Sequence, residues 1–445
     1  MIALNSGTKN NDSMSSKDTL NKQKNQSYWA TVGRQFRQKK TAMVSFYITL
    51  FLAFVAVTAP FLANEKPIFC KYEGKMYFPV VKQIGVDLGI GQFPKELLNV
   101  KWKDLNYDFA VWPLIPYLPL NQDEKNSKSV SPLAKQDVQS TYWTHWFGTD
   151  ELGRDVLSGM IHGTKTAFTV GIVSMFIASV IGIFFGSLAG FFGDTNLKMS
   201  RIRMWLNLLF FFFALFYAFG VRSYILSDSL ANGFASFLGQ FLLSLAIFGA
   251  IIGLANLMAM PLKKIPFLAE QVAFPVDMLI SRSMEVLVSI PTFFLILLVL
   301  AVIKKPNIYV IMVIIGFTSW TGIARYIRAE LLRIRSLEYI EAAKALGYSN
   351  WRTMVKHAIP NALAPVLIAI AFGIASAILI ESSLSFLGFG SGEDVTWGGL
   401  LNAARSAPKA WWLAIFPGFA IFITVTIFNL IGEGLTDAMD PRLRK

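Results

Sequence analysis

Cysteine is almost missing from this chain: Cys70 is the only one among 445 residues. A disulfide within the chain is thereby excluded, and so is any cysteine-based metal cluster. Histidine is nearly as scarce. His145, His162 and His357 are too far apart in sequence to give paired-ligand spacing, so no metal centre is expected. Charge is thin as well. Charged residues make up 16% of the chain against 54% hydrophobic, with a mean hydropathy of +0.49, which excludes an ordinary water-soluble domain. Acidic residues are the scarcer sign, 28 against 41 basic, leaving a formal net charge of +13. Nucleic acid is a poor explanation for that excess, because apolar runs of membrane-spanning length separate the basic residues. A phosphate loop is also missing. The nearest approach, Gly159 to Thr166, has Lys165-Thr166 but lacks the Gly-Lys pair and the glycine spacing. Gly388, Gly390 and Gly392 follow no strand, so a dinucleotide site has no support. No catalytic, cofactor-binding or metal-binding residue is expected in this chain.

What is abundant is apolar sequence in blocks. A polar, basic tail, 1–40, has no hydrophobic core of the signal-peptide kind. A first span follows at 41–63, its apolar run starting at Met43. Residues 64–165 are mixed and read as a water-exposed external insert. Further spans are expected at about 166–192, 204–221, 238–260, 286–303, 308–324, 362–382 and 411–432, each near the ~20 residues that a hydrocarbon core of ~30 Å requires. The organisation expected is therefore tail 1–40, span 41–63, insert 64–165, core span 166–193, an insertion 194–281 with two extra spans, a core 282–433 containing a polar loop 325–361, and a tail 434–445.

Lysine and arginine counts orient these spans. With the N-terminus inside, the cytoplasmic segments hold 24 of the 41 and the short external loops hold five: Arg222, Lys304, Lys305, Arg405 and Lys409. The other 12 lie in 64–165, and long translocated segments largely escape the positive-inside rule. Both termini and the loop 325–361 are expected in the cytoplasm.

Within the second span, Gly182, Gly186 and Gly190 recur every four residues and form a face without side chains, suited to close helix packing. The run SLEYIEAAKALGYSNWRTMVKHAIPNALAPVLI from Ser336 reads as helix, turn, helix. Tyr339, Ala342, Ala343 and Leu346 share one side at helical spacing, Gly347 suits a left-handed helix end, Ser349 is a plausible N-cap, and Pro360 limits the second helix. Asp150, Glu151, Arg154 and Asp155 suit a charge and capping network at the external mouth of a helix. Glu381, at the outer end of its span, is a candidate for the transport route, weighed against a helix-end carboxylate facing water. Glu433 and Asp437, near Arg442 and Arg444, read as an ion-pair cluster.

The loop resembles the signature of ABC importer permeases: an E-A-A run, three residues, a glycine, then an aliphatic residue and proline about a dozen positions later. Glu341, Ala342, Ala343, Gly347, Ile359 and Pro360 carry the match, with His357 where the general pattern has an aliphatic residue. A second stretch, from His145 to Gly171, is similar to the segment before the second helix of C-type permeases of dipeptide, oligopeptide and nickel importers. Phe147, Gly148, Thr149, Asp150, Gly153, Arg154, Asp155 and Val156 match without a gap. The run Glu381 to Gly390, Thr396-Trp397-Gly398 and the last span with its tail extend the likeness.

The resemblance implies an all-α polytopic membrane protein of the type I ABC importer permease fold, with six core helices plus about two extra spans and the insert. It also implies a peptide-importing permease subunit in a bacterial inner membrane. The partners implied are a homologous B-type permease, two ABC ATPase subunits holding ATP and Mg, and an extracytoplasmic substrate-binding protein. An ion-coupled secondary transporter, or a permease for nickel or another small solute, is the alternative.

Overall fold

Backbone amides in lipid have no water to bond, so apolar runs of this length satisfy themselves as helices. The computed structural model describes residues 28–440 apart from 88–90, 95–96, 98–99, 133, 139, 232–233, 304–306 and 393. Most of the tail 1–40, together with Lys304, Lys305, Arg442 and Arg444, lies outside the described residues. Among the described residues, seven helices are long and apolar enough to cross a membrane, or eight if a bent pair counts as one span.

The chain enters through α1 (Tyr28–Gln38) and α2 (Lys40–Leu62), which part at the extended backbone of Lys39. The insert follows, with a three-stranded antiparallel sheet in the order β2-β1-β3, where β1 is Phe69–Tyr72, β2 is Lys75–Tyr77 and β3 is Phe109–Val111. Cys70 is buried in β1. The helix α3 (Val156–Ser187) then continues through a wide turn, Leu188–Phe192. After strand β4 (Lys198–Ser200) come α4 (Arg201–Leu215) and α5 (Phe234–Leu262), then β5 (Gln271–Ala273). The remaining long elements are α6 (Val276–Ser289), α7 (Thr292–Val302), α8 (Ile308–Ile334), α9 (Glu338–Ala345), α10 (Ile359–Phe386), α11 (Trp397–Ser406) and α12 (Trp412–Met439).

Helix α3 is the central element, and its glycines explain why. A Cβ on Gly182 would lie 2.8 Å from the Trp320 carbonyl oxygen, on Gly186 2.5 Å from that of Ala324, and on Gly190 2.6 Å from that of Arg328. All three contacts are with α8, which returns the approach where Gly316 faces the Ser174 carbonyl. Ser174 Oγ donates to Met312 O at 3.0 Å across the same seam. Further along, Gly171 faces Ile374 and Ile378 of α10, and Gly163 receives the Trp397 indole of α11. At the opposite end of the bundle from the insert, Lys39 bridges Glu433 at 2.8 Å and Asp437 at 2.6 Å, joining α12 to the start of α2. Those two carboxylates, Asp437 foremost, raise the Lys39 ammonium above its ordinary value.

Several boundaries differ from the sequence-based expectation. The helix expected from 166 begins at Val156, because Asp155 caps it and polar His162 and Lys165 are carried inside the helical segment. The span expected at 286–303 is broken: α6 and α7 meet at 78°. Pro291 forces an extended conformation on Ile290, which sits at φ −94°, ψ 122°. Helix α8 runs on to Ile334 and α12 to Met439, past the expected ends at 324 and 432. Glu433 and Asp437 find Lys39 as their described partner.

The two extra spans pack against each other and touch the core through Phe241, edge-on to Phe317 of α8. Helices α4 and α5 share an amide pair, with Asn256 Nδ2 donating to Asn207 Oδ1 at 3.0 Å, and an edge contact between Phe211 and Phe248. Strands β4 and β5 clip its base, helped by Phe274 N donating to Leu197 O at 2.8 Å and by the Arg201–Glu270 pair at 2.6 Å. The insertion thus leaves the core and returns to it at one point.

Overpacking of the α3–α8 seam should be costly. Gly186→Leu should lower stability by about 1–3 kcal/mol, read as a reduced melting temperature in detergent. Gly249→Leu on α5, where nothing lies within 4 Å of the Cβ position, should leave melting unchanged.

Candidate coupling hairpin and outer clamp

The polar segment after α8 folds back on itself for local reasons. Helix α9 ends in a Schellman arrangement: Gly347 N donates to Lys344 O at 2.9 Å and Tyr348 N to Ala343 O at 3.2 Å. Gly347 takes φ 82°, which a side chain would oppose. Ser349 Oγ then accepts from Arg352 N and opens a short helix, Asn350–Thr353. A wide turn, Met354–Ala358, leads into α10, whose first turn tolerates Pro360 because a proline there removes no helical hydrogen bond. Tyr348 fastens the hairpin, with the Arg352 guanidinium 4.5 Å over its ring and the His357 ring parallel to it at 11°.

The hairpin has an inner and an outer face. Ile340 and Met354 are buried in a cluster with Phe191, Phe192, Met284, Leu331 and Ile334, and Ala343 is buried as well. Tyr339, Glu341, Ala342 and Leu346 are exposed, Leu346 at 76%. Ala343 therefore leaves the shared side expected for it with Tyr339, Ala342 and Leu346, and joins Ile340 three residues earlier. Partial burial raises the Tyr339 phenol above its usual value, with a hydrogen bond to Asn361 pulling the other way. Ile359 packs against the buried cluster and Pro360 is exposed. Trp351, which the sequence reading did not single out, is 54% exposed on the same hairpin. A tryptophan in a short polar helix was the available signal.

At the insert end, the stretch from Phe147 is drawn together into a clamp. Phe147 stacks on Phe416 of α12 with centroids 4.2 Å apart. Gly148 takes φ 75° against the Val130 carbonyl, and Gly153 takes φ 79° against that of Asp123. Thr149 is buried, donating to Asn126 O at 2.7 Å while its own carbonyl accepts from the Trp412 indole at 3.0 Å. Asp150 accepts from Arg154 through Nε at 2.6 Å and through the backbone at 2.9 Å. Asp155 caps α3 by accepting from Ser158 N at 2.6 Å.

His145, missed as a partner of this network, is fully buried between two carboxylates. Its Nδ1 lies 2.8 Å from Asp155 Oδ2 and its Nε2 3.2 Å from Asp123 Oδ2, with Tyr117 stacked on the ring. Burial pushes the Asp123 carboxyl up, but hydrogen bonds from Asn126 and His145 outweigh it and hold the group below its ordinary value.

Glu381 sits elsewhere. It is 1% exposed, with Ser385 Oγ donating to Oε1 at 2.6 Å and Ser382 Oγ near Oε2 at 3.4 Å. Beside it the Trp397 indole donates to Met160 O at 3.1 Å, and Thr166 Oγ1 to Val395 O at 2.9 Å. The carboxylate thus lies buried in a joint of α3, α10 and α11 and does not face water.

A glycine-seamed helical bundle with a capped hairpin at one end and a clamped insert at the other is the architecture of a multi-pass transport permease subunit. Residues 267–445 match the family of binding-protein-dependent transport system inner membrane components, and residues 27–74 match the N-terminal TM domain of oligopeptide transport permease C. The chain belongs to this ABC permease family, in its C-type branch.

Relatives agree with that placement. The chain is 26% identical over 453 residues to the peptidoglycan transport system permease protein YejE of Agrobacterium fabrum, covering 96% of this chain and 97% of the relative. It is 28% identical over 304 residues to the dipeptide transport system permease protein DppC of Bacillus subtilis, covering 68% and 70%. It is 29% identical over 302 residues to the oligopeptide transport system permease protein OppC of Haemophilus influenzae, covering 67% and 71%.

The clamp makes a sharp stability claim. Gly153→Ala should cost at least about 1–3 kcal/mol, since it adds both a left-handed strain and a backbone collision. Limited proteolysis of the insert should accelerate, while Gly85→Ala, with open space at its Cβ position, should not change it.

Proposed function

We propose that this chain forms half of the translocation pathway of an ATP-driven importer of short peptides, and that the hairpin from Glu338 to Pro360 is where ATPase subunits dock. The observation that carries the reading is the hairpin's division of faces. Ile340 and Met354 root it in the bundle, while Leu346 and Trp351 remain exposed beside Lys344, Arg352 and Lys356. Such an apolar pair in a polar rim fits a groove on a partner.

The partners in this reading are a homologous B-type permease, two ATPase subunits that hold ATP and Mg, and an extracytoplasmic binding protein. The chain itself performs no catalysis. Both termini and the hairpin face the cytoplasm of a bacterial inner membrane, in keeping with the lysine and arginine distribution. Closure of the ATPase pair pushes the hairpin, and because Ile340 and Met354 are packed against Leu331, Ile334 and Met284, the push reaches α8 and α6 together. Peptide delivered at the insert end is then released at the hairpin end.

Dipeptides and oligopeptides are the cargo favoured by the relatives named for them. The match over nearly the whole chain to a permease named for peptidoglycan transport favours a second cargo, peptidoglycan fragments.

Reconstitution of the chain with its partner subunits and binding protein in liposomes tests the reading. Glu341→Ala and Gly347→Val should each reduce ATP-driven peptide uptake about tenfold or more, with the permease still inserted. Uptake undiminished in both, or no co-purifying nucleotide-binding subunit, overturns the docking assignment. Competition between dipeptides and soluble peptidoglycan fragments decides the cargo.

A further inference from the structure

Helix α6 carries a carboxylate that the hairpin reading does not use. Asp277, in its first turn, accepts two hydrogen bonds from one side chain of α8: Arg328 Nε to Oδ1 at 2.5 Å and Arg328 Nη2 to Oδ2 at 2.7 Å. This is a fork-on-fork pair, the geometry that fixes orientation as well as distance. Both side chains are largely covered, Asp277 at 15% and Arg328 at 32% exposure. Ser281 Oγ adds a bond to Asp277 at 3.3 Å, and one residue on, Met278 N donates to Asp194 Oδ1 at 2.9 Å.

The place matters as much as the pair. Arg328 lies in α8 where Gly190 meets its backbone, ten residues before the hairpin begins at Glu338. Helix α6 has a second attachment in the middle, Met284, which is 3% exposed in the cluster that holds Ile340 and Met354. Beyond Met284 the helix breaks by 78° into α7, and the other side of this bent pair is uncovered: Val286, Phe294 and Leu298 are each about two-thirds exposed. Helix α6 is thus held to the seam by an apolar contact in its middle and a polar fork at its foot. An apolar contact alone lets a helix slide or roll. A bidentate fork does not.

We propose that Asp277 and Arg328 are a positioning pair that makes the bent helix α6–α7 follow α8 when the hairpin is driven, so that ATP hydrolysis in the partners is spent on transport. The proposal rests on the importer reading and names residues outside the docking hairpin. Movement of the hairpin reaches α8 through the continuous chain and reaches α6 through Met284 and the fork. Without the fork, the ATPases still close on the hairpin, but the foot of α6 loses its side-chain tie to α8 and keeps only its bonds to the segment 194–200, so that it can lag behind α8.

The test is the ratio of peptide taken up to ATP hydrolysed by the assembled complex in liposomes. Asp277→Asn and Arg328→Gln should each leave hydrolysis within about twofold of wild type while lowering uptake about tenfold. Arg328→Lys, which keeps the charge but not the fork, should fall between. The exchange of Asp277→Arg with Arg328→Asp in one chain should bring the ratio back towards wild type, an outcome that a purely structural loss does not produce. If Asp277→Asn does not assemble, Arg328→Lys and the exchange carry the test through the same ratio. Uptake and hydrolysis falling in proportion, or an unchanged ratio in every variant, overturns the pair's role. Absence of ATP-driven uptake in the wild-type complex overturns the importer reading beneath it.

Discussion

Helices surrounded by lipid gain nothing by excluding water from each other, so they stay together only where their atoms can come close enough for dispersion and weak polar contacts to add up. Helix α3 meets that condition along its length by giving up side chains. Gly182, Gly186 and Gly190 bring its backbone against α8, Gly171 brings it against α10, and Gly163 makes room for the Trp397 indole. Because the α3–α8 seam is backbone against backbone, it has little freedom to slide. The two functional ends of the molecule are both built on it.

At one end, the seam supplies the floor of the hairpin. Phe191 and Phe192 lie in the wide turn after α3, Leu331 and Ile334 close α8, and Ile340 and Met354 join them in one buried cluster. At the other end, the first turn of α3 is held by Asp155, which also engages His145, so the cap of the central helix and the anchoring of the insert share one carboxylate. The insert therefore has a rigid connection to the helix that carries the seam. The polar groups at this end are mostly committed to one another, whereas the hairpin leaves Leu346 and Trp351 exposed. That contrast separates a braced end from the end proposed for docking.

Much of this was legible in the sequence where the determinant is local. Gly347 ends a helix because only the residues beside it decide that conformation, and Ser349 caps the next for the same reason. The four-residue glycine period gave a packing face but not its partner, since α8 lies more than a hundred residues downstream. Helix limits went astray where local polarity misleads: His162 and Lys165 look like loop residues, yet His162 Nε2 sits 2.9 Å from the Ala63 carbonyl inside a helical segment. The break at Pro291 was written in the sequence but hidden by the apolar residues on both sides. Ala343 was misplaced because a four-residue side of a short helix spans too wide an arc. Asp277 and His145 could not be read at all, because each acquires its partners only when separate helices or loops meet. Glu381 was a candidate, but its burial could not be foreseen, although its serine partners lie on its own helix.

The hairpin is also the feature that a single chemical measurement reaches most directly. The native thiol, Cys70, is buried in β1, so Leu346→Cys places one accessible thiol on the outer face of the hairpin. Site-directed cross-linking of this variant in inverted membrane vesicles, with and without ATP, asks what that face touches. A product joining it to a nucleotide-binding subunit, with a yield that changes on ATP addition, is the predicted result. A thiol labelled only from the opposite side of the membrane, or no product with any nucleotide-binding subunit in the assembled complex, would contradict it.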